Sequence, residues 1–185
     1  VRESDGCDIV GGILNTNIKN VIDPTLLLQY DEWMEYIKSD KPVDEKYIFV
    51  YTPNNINNFN DIVNYASEKL NLNIINFKKK DIGLKNVKRN LFCSDPNDFL
   101  NYLYYSEIIV ATSFHAVVFS IIFKKNFWVL SPKDNSSRVS TLLSRLGLED
   151  RTIESLEEFK EKDIRERIDY ECVNNKLNCL REDSK

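Results

Sequence analysis

One histidine stands in the whole sequence, and its neighbours set what it can do. It closes the run Ile108-Ile109-Val110-Ala111-Thr112-Ser113-Phe114-His115. Consecutive Ile and Val residues read as a buried strand, and the apolar segment after His115 reads as a helix. Thr112 or Ser113 is then placed to cap that helix. A helix start offers free N–H groups and a partial positive charge, which suit a phosphate or a carboxylate. From that turn the His115 ring can reach such an anion as acid, base or hydrogen-bond donor. The plain alternative is a lone histidine packed in the core and satisfied by a backbone carbonyl.

Two arginines are the next candidates. Asn135-Ser136-Ser137 is a run of capping residues followed by Arg138. A cation in a first turn opposes the helix dipole. Arg138 is therefore either a tolerated surface charge or a group aimed at a bound anion. Arg2 precedes a helix that Ser4 or Asp5 caps and that runs to Leu14. Its ordinary reading is a salt bridge to an acid. Asp23, before Pro24, reads as the cap of a short helix over Leu26, Leu27 and Leu28. Glu107 opens its strand, so it belongs to the edge opposite the site and is structural.

Other chemistries lack their residues. The five glycines form no Gly-x-Gly-x-x-Gly turn and no phosphate loop ending in Gly-Lys-Ser/Thr. That argues against a familiar dinucleotide or nucleoside-triphosphate site, and no cofactor is expected. No carboxylate cluster has metal-ligand spacing, and one histidine with four cysteines lacking a Cys-x-x-Cys pair completes no usual zinc set. No metal is expected. Cys7, Cys93, Cys172 and Cys179 read as reduced thiols of a cytosolic protein. The net charge is -4 with acids and bases mixed, so no basic stripe invites nucleic acid. The longest apolar run, residues 108–123, falls short of the ~20 residues of a membrane span.

The elements that must position these residues follow from the hydropathy pattern. Short β-rich runs alternate with amphipathic helical stretches, which predicts an α/β fold with a mostly parallel sheet. Strands are expected at 19–22, 47–51, 73–77, 107–111 and 127–130. Phe59, Ile62, Val63, Ala66 and Leu70 form one helical face; Phe99, Leu100 and Leu103 form a second, after Asp95-Pro96. Val139, Leu142, Leu143 and Leu146 form a third, stopped by Gly147. The charged tail from Asp163 is expected as one long helix that buries Ile164, Ile168, Cys172, Leu177 and Leu180. In a parallel sheet the loops after the strands share one edge, where ligands bind. That edge collects Asp23-Pro24-Thr25, Thr52-Pro53-Asn54, Thr112 to His115 and residues 131–138.

Taken in order, these segments resemble the polysaccharide pyruvyl transferase family. Val1-Arg2-Glu3-Ser4 is similar to the start of the family's C-terminal half. Val21-Ile22-Asp23-Pro24-Thr25-Leu26-Leu27-Leu28, with Trp33 after it, is similar to its Asp-Pro-Thr-Leu-Leu motif. Tyr47 to Tyr51 resembles its next strand, and Ser113-Phe114-His115 its Ser-Phe-His motif. Asn135-Ser136-Ser137-Arg138, then Leu142-Leu143, Gly147-Leu148 and Arg151, is similar to its Asn-x-x-Arg and Leu-Gly-Leu run. Ala116 stands where a glycine is common.

The resemblance implies a three-layer Rossmann-like domain over residues 1–185. This would be the C-terminal, donor-binding half of a GT-B-like two-domain enzyme, with the N-terminal domain absent. It implies transfer of pyruvate from phosphoenolpyruvate to a sugar diol of a bacterial surface polysaccharide, with a ketal and phosphate as products. The implied partners are phosphoenolpyruvate, a sugar or lipid-linked oligosaccharide acceptor, and the N-terminal domain of the same protein. The implied location is cytoplasmic, including the inner face of the membrane. His115 would be catalytic; Arg2, Ser113, Phe114, Asn135 and Arg138 would bind substrate. The half alone is expected to be inactive. Two rivals remain: a GT-B glycosyltransferase half using a nucleotide sugar, and a non-catalytic Rossmann-like binding module.

Overall fold

The computed structural model describes residues 1–2, 4–53, 56–78, 83–92, 95–130 and 137–184, with Ser4 and Ser137 described by backbone alone. Helix α1 (Ser4–Leu14) leads into a 3-10 turn (Pro24–Leu26) and a short α2 (Tyr30–Met34). Then follow β1 (Tyr47–Tyr51), α3 (Phe59–Leu70), β2 (Asn73–Asn76), β3 (Val87–Asn90), α4 (Pro96–Tyr104) and β4 (Ile108–Ala111). The chain continues through α5 (Phe114–Ile122), β5 (Asn126–Leu130), α6 (Ser137–Leu146), a 3-10 turn (Glu149–Arg151) and β6 (Thr152–Ile153). It ends in α7 (Leu156–Glu161) and α8 (Tyr170–Ser184).

The sheet has six strands in the order β3-β2-β1-β4-β5-β6, and every pair is parallel. Central strands of such a sheet are covered on both faces, so they are apolar throughout rather than alternating. In β1, Tyr47 and Phe49 face one helical layer while Ile48 and Val50 face the other, all four fully buried. The first layer is built from α4, α5, α6 and α8, the second from α3 and α7. Three layers with a parallel sheet between them are the Rossmann-like α/β arrangement that the alternation of elements predicts.

Local chemistry sets the element ends. The Asp95 carboxylate accepts from the Asp98 amide at 2.8 Å, with Pro96 in the first turn of α4. Gly147, at φ +72°, ends α6: its amide bonds the Ser144 carbonyl and the Leu148 amide bonds the Leu143 carbonyl. This Schellman pattern needs a left-handed residue, which glycine supplies without a Cβ clash. Asp23 caps the 3-10 turn as expected, and that turn buries Leu26 while Leu27 and Leu28 stay exposed.

Three expectations are corrected. Residues 19–22 form no strand; they run extended beside the N-terminus, with the Val21 amide bonded to the Val1 carbonyl at 2.8 Å. Ile22 is buried on the helix side, among residues of the first layer. The sheet instead gains β3 and β6 at its two edges. The tail is not one helix from Asp163. Ile164 and Ile168 are buried ahead of α8, whose start Asp169 caps through bonds from the Glu171 and Cys172 amides. That start fixes a new phase, so Val173 and Leu177 are buried and Cys172 is exposed. Cys7, Cys172 and Cys179 are free thiols, and Cys93 lies outside the described residues.

Candidate functional site

The strand order 3-2-1-4-5-6 reverses its direction of growth between β1 and β4. At such a switch point the loops after two neighbouring strands lead to opposite faces, and a crevice opens at their carboxyl ends. Here β1 ends on Tyr51 and β4 ends on Ala111, paired side by side in register. The Thr112 hydroxyl donates to the Thr52 hydroxyl at 2.9 Å, tying the two loops together. Ser113, Phe114 and His115 follow at once, so the segment singled out by sequence lies at the switch point.

Ser113 holds the N-cap position with extended backbone (φ -93°, ψ 132°), but its hydroxyl makes no capping bond. Its carbonyl accepts the first helical bond, from the Val117 amide at 3.2 Å. The amides of Phe114, His115 and Ala116 precede that bond, so this helix start carries its partial positive charge toward the crevice. Expected capping by the Thr112 or Ser113 side chain is replaced by the Thr112–Thr52 bond and the Ser113 carbonyl. His115 is exposed, in the first turn of α5. The buried core histidine is thereby excluded. Ala116 is fully buried in the first turn, where a methyl group is accommodated.

Phe114 links the histidine to the arginines. Its ring lies 5.5 Å from the His115 ring at 77° and carries the Arg138 guanidinium over its face at 5.6 Å. Arg138 stands at the start of α6, which the chain brings back beside α5. A shallow hollow beyond Phe114 is lined by Arg2, Asp23, Phe114, Arg138 and Arg145, over an apolar floor that includes Ile22 and Leu26. Arg2 donates through Nη1 to Asp23 Oδ2 at 2.5 Å, the salt bridge its ordinary reading foresees. Burial raises the Asp23 pKa, but bonds from the Thr25 hydroxyl and amide and the Arg2 guanidinium outweigh it. The carboxyl is held below its usual range.

The structure places the expected site residues as follows. Arg2, Phe114 and Arg138 share one hollow. Ser113 and His115 stand at the same sheet edge beside it, without lining it. Asn135 lies outside the described residues. Arg145 and Asp23 were not among the expected site residues. Arg145 is half-buried and donates to Asn20 Oδ1 at 2.6 Å. A signal for it existed: it follows Arg138 by two helical turns, on the same face of α6. Three guanidiniums and one carboxylate border the hollow, which at about 20 Å³ has room for little more than one water.

A larger hollow opens at the opposite edge, lined by Tyr30, Tyr104, Lys124, Lys125 and Glu107 among others. Helices α4 and α5 end there, so Lys124 and Lys125 offset their carbonyl ends. Burial pushes the Lys125 ammonium below its usual pKa. Glu107 pairs with Lys46 at 3.1 Å, the structural role expected of it. Among the described residues no group of three or more His, Cys, Asp and Glu side chains is arranged to hold a metal ion. Among those residues no helix is long and apolar enough to cross a membrane.

Comparison with known proteins completes the picture. A search of curated proteins finds no match. Among solved structures, the chain resembles the glycotransferase of kitacinnamycin at 15% identity and a TM-score of 0.46, over 80% of this chain. It spans 41% of that protein's length. A family model described as polysaccharide pyruvyl transferase matches residues 1–135, a stretch that runs from Arg2 through β4 and His115 to β5. On that match over most of its length, the chain belongs to the polysaccharide pyruvyl transferase family.

Proposed function

We propose that this chain is the donor-binding half of an enzyme that moves pyruvate from phosphoenolpyruvate to a sugar diol. The observation that carries the reading is the gathering of Arg2 and Arg138 around Phe114, next to His115 at the carboxyl edge of the sheet. Phosphoenolpyruvate bears a phosphate and a carboxylate on one small carbon frame. Arg2 and Arg138 suit its two anionic groups, since a guanidinium pairs with either through parallel N–H bonds. The first-turn amides of α5 add donors for the phosphate. Ser113, Phe114 and Asn135 complete the donor contacts in this reading.

The reaction adds one proton to the methylene carbon of phosphoenolpyruvate, which becomes a methyl group and leaves positive character on C2. One sugar hydroxyl bonds to C2 and loses its proton. A second hydroxyl then displaces phosphate from C2, its proton leaving with the phosphate, and the ketal closes. His115 would deliver the first proton or hold the departing phosphate. The acceptor would sit on the facing N-terminal domain of a GT-B-like pair, at a surface polysaccharide or its lipid-linked precursor. The enzyme would work in the cytoplasm or at the inner face of the membrane, and the half alone would bind donor without turnover. Neither a cofactor nor a metal is required by this chemistry.

A nucleotide-sugar donor fits less well. The loop after β1 carries Thr52-Pro53 rather than a glycine-rich turn, and β2 ends on Asn76, with Phe77 after it, rather than on an acid for a ribose. The test is phosphate release from phosphoenolpyruvate by the full-length enzyme. His115→Ala should reduce it by at least a hundredfold. Release within twofold of wild type would remove His115 from the chemistry.

A further inference from the structure

We infer that Asp23 is a positioning residue for the donor site: it holds the Arg2 guanidinium in place to receive an anionic group of phosphoenolpyruvate. The inference rests on the donor reading above and names how one of its anchors is set. Asp23 is only 4% exposed, and its two oxygens have separate tasks. Oδ1 accepts from the Thr25 amide at 3.0 Å and from the Thr25 hydroxyl at 2.6 Å. Oδ2 accepts from Arg2 Nη1. Capping the 3-10 turn uses Oδ1 alone, so the cap explains only half of the carboxylate. Thr25 grips Oδ1 twice and keeps the group from rotating, which fixes the direction of Oδ2.

The backbone of the first residues is fixed in the same way. The Val21 amide donates to the Val1 carbonyl at 2.8 Å, which pins the main chain beside Arg2. Arg2 therefore starts from an anchored main chain and ends at an anchored carboxylate, while its side chain remains 38% exposed along the hollow. An unanchored arginine has many rotamers, and ordering them weakens binding. Asp23 removes that loss in advance. It does so at a cost in local charge, which Arg138 and Arg145 in the same hollow offset.

Asp23→Asn separates the two tasks. Its amide oxygen can still cap Thr25, but its NH2 would face the guanidinium, donor against donor. Full-length wild type, D23N, Arg2→Ala and the double variant are compared by Kd for phosphoenolpyruvate and by KM for donor and sugar. D23N should raise Kd and KM for phosphoenolpyruvate at least tenfold and leave the sugar KM within twofold. In the Arg2→Ala background D23N should add less than twofold, because Asp23 acts through Arg2. Equal donor binding by D23N and wild type, or a full additive loss in the double variant, would overturn the inference alone. Wild type that binds no phosphoenolpyruvate would sink the donor reading itself. If D23N does not fold, Thr25→Val serves: it removes one of the bonds that aim Oδ2 and should raise the donor KM about threefold. An unchanged donor KM in that variant overturns the inference as well.

Discussion

Replacing Arg138 by alanine should separate binding from stability. The guanidinium is exposed and lies 5.6 Å over the Phe114 ring. An exposed contact of this kind contributes about 0.5–1 kcal/mol. In a chain of this size that corresponds to a fall in melting temperature of about 1–4 °C. A hydrogen bond from the same guanidinium to a charged donor group is worth about 1.5–3 kcal/mol. At 1.4 kcal/mol per factor of ten, the Kd for phosphoenolpyruvate should rise about 10- to 150-fold. Arg138→Lys keeps the charge but loses the planar fork, so it should fall between. The assay is calorimetric titration of the full-length enzyme with phosphoenolpyruvate, beside thermal unfolding of each variant. A Kd within twofold of wild type would refute the donor role of Arg138. A large fall in melting temperature would show that Arg138 is structural instead.

Three further outcomes follow from the fold. Phe159 is fully buried against Trp128 at 5.4 Å and Tyr65 at 5.9 Å, so Phe159→Ala should cost about 3–5 kcal/mol in urea unfolding. Gly147→Ala places a Cβ at a left-handed position (φ +72°) and should lower stability by about 1 kcal/mol. The carboxyl of Asp23 sits below its unfolded pKa of about 3.9, so its contribution is complete above that value. The contribution is lost as pH falls through the lower native pKa. D23N should therefore be less stable than wild type at pH 7, and the gap should close toward pH 2 in urea titrations; a gap that stays constant with pH would contradict this.

The central sheet and the switch-point segment were legible because burial leaves a strong imprint. Strands β1, β4 and β5 are continuous apolar runs, and a parallel sheet covered on both faces demands that. The edges were not legible. Strand β3 is Val87-Lys88-Arg89-Asn90, mostly exposed, so it has neither an apolar run nor an alternating face. Strand β6 has two residues, too few for any period. Residues 19–22 carry Val21 and Ile22, the residue types of a strand, yet those side chains serve the helical layer and the hollow. The tail misled through phase, since an early helix start shifts the apolar stripe by a residue. His115, Arg2 and Arg138 could be named from sequence because each sits at a helix start or in a matched motif. Asp23 was legible as a cap only, because its bond to Arg2 spans 21 positions and no local pattern announces it. Arg145 shares a face of α6 with Arg138, but its bond to Asn20 spans 125 positions and no local pattern announces it.

The most direct measurement of the account is calorimetric titration of the full-length enzyme with phosphoenolpyruvate and, separately, with nucleotide sugars. The arginines gathered around Phe114 predict saturable binding of phosphoenolpyruvate that Arg2→Ala and Arg138→Ala each weaken at least tenfold, and no binding of nucleotide sugars. Saturable binding of a nucleotide sugar, with none of phosphoenolpyruvate, would contradict it.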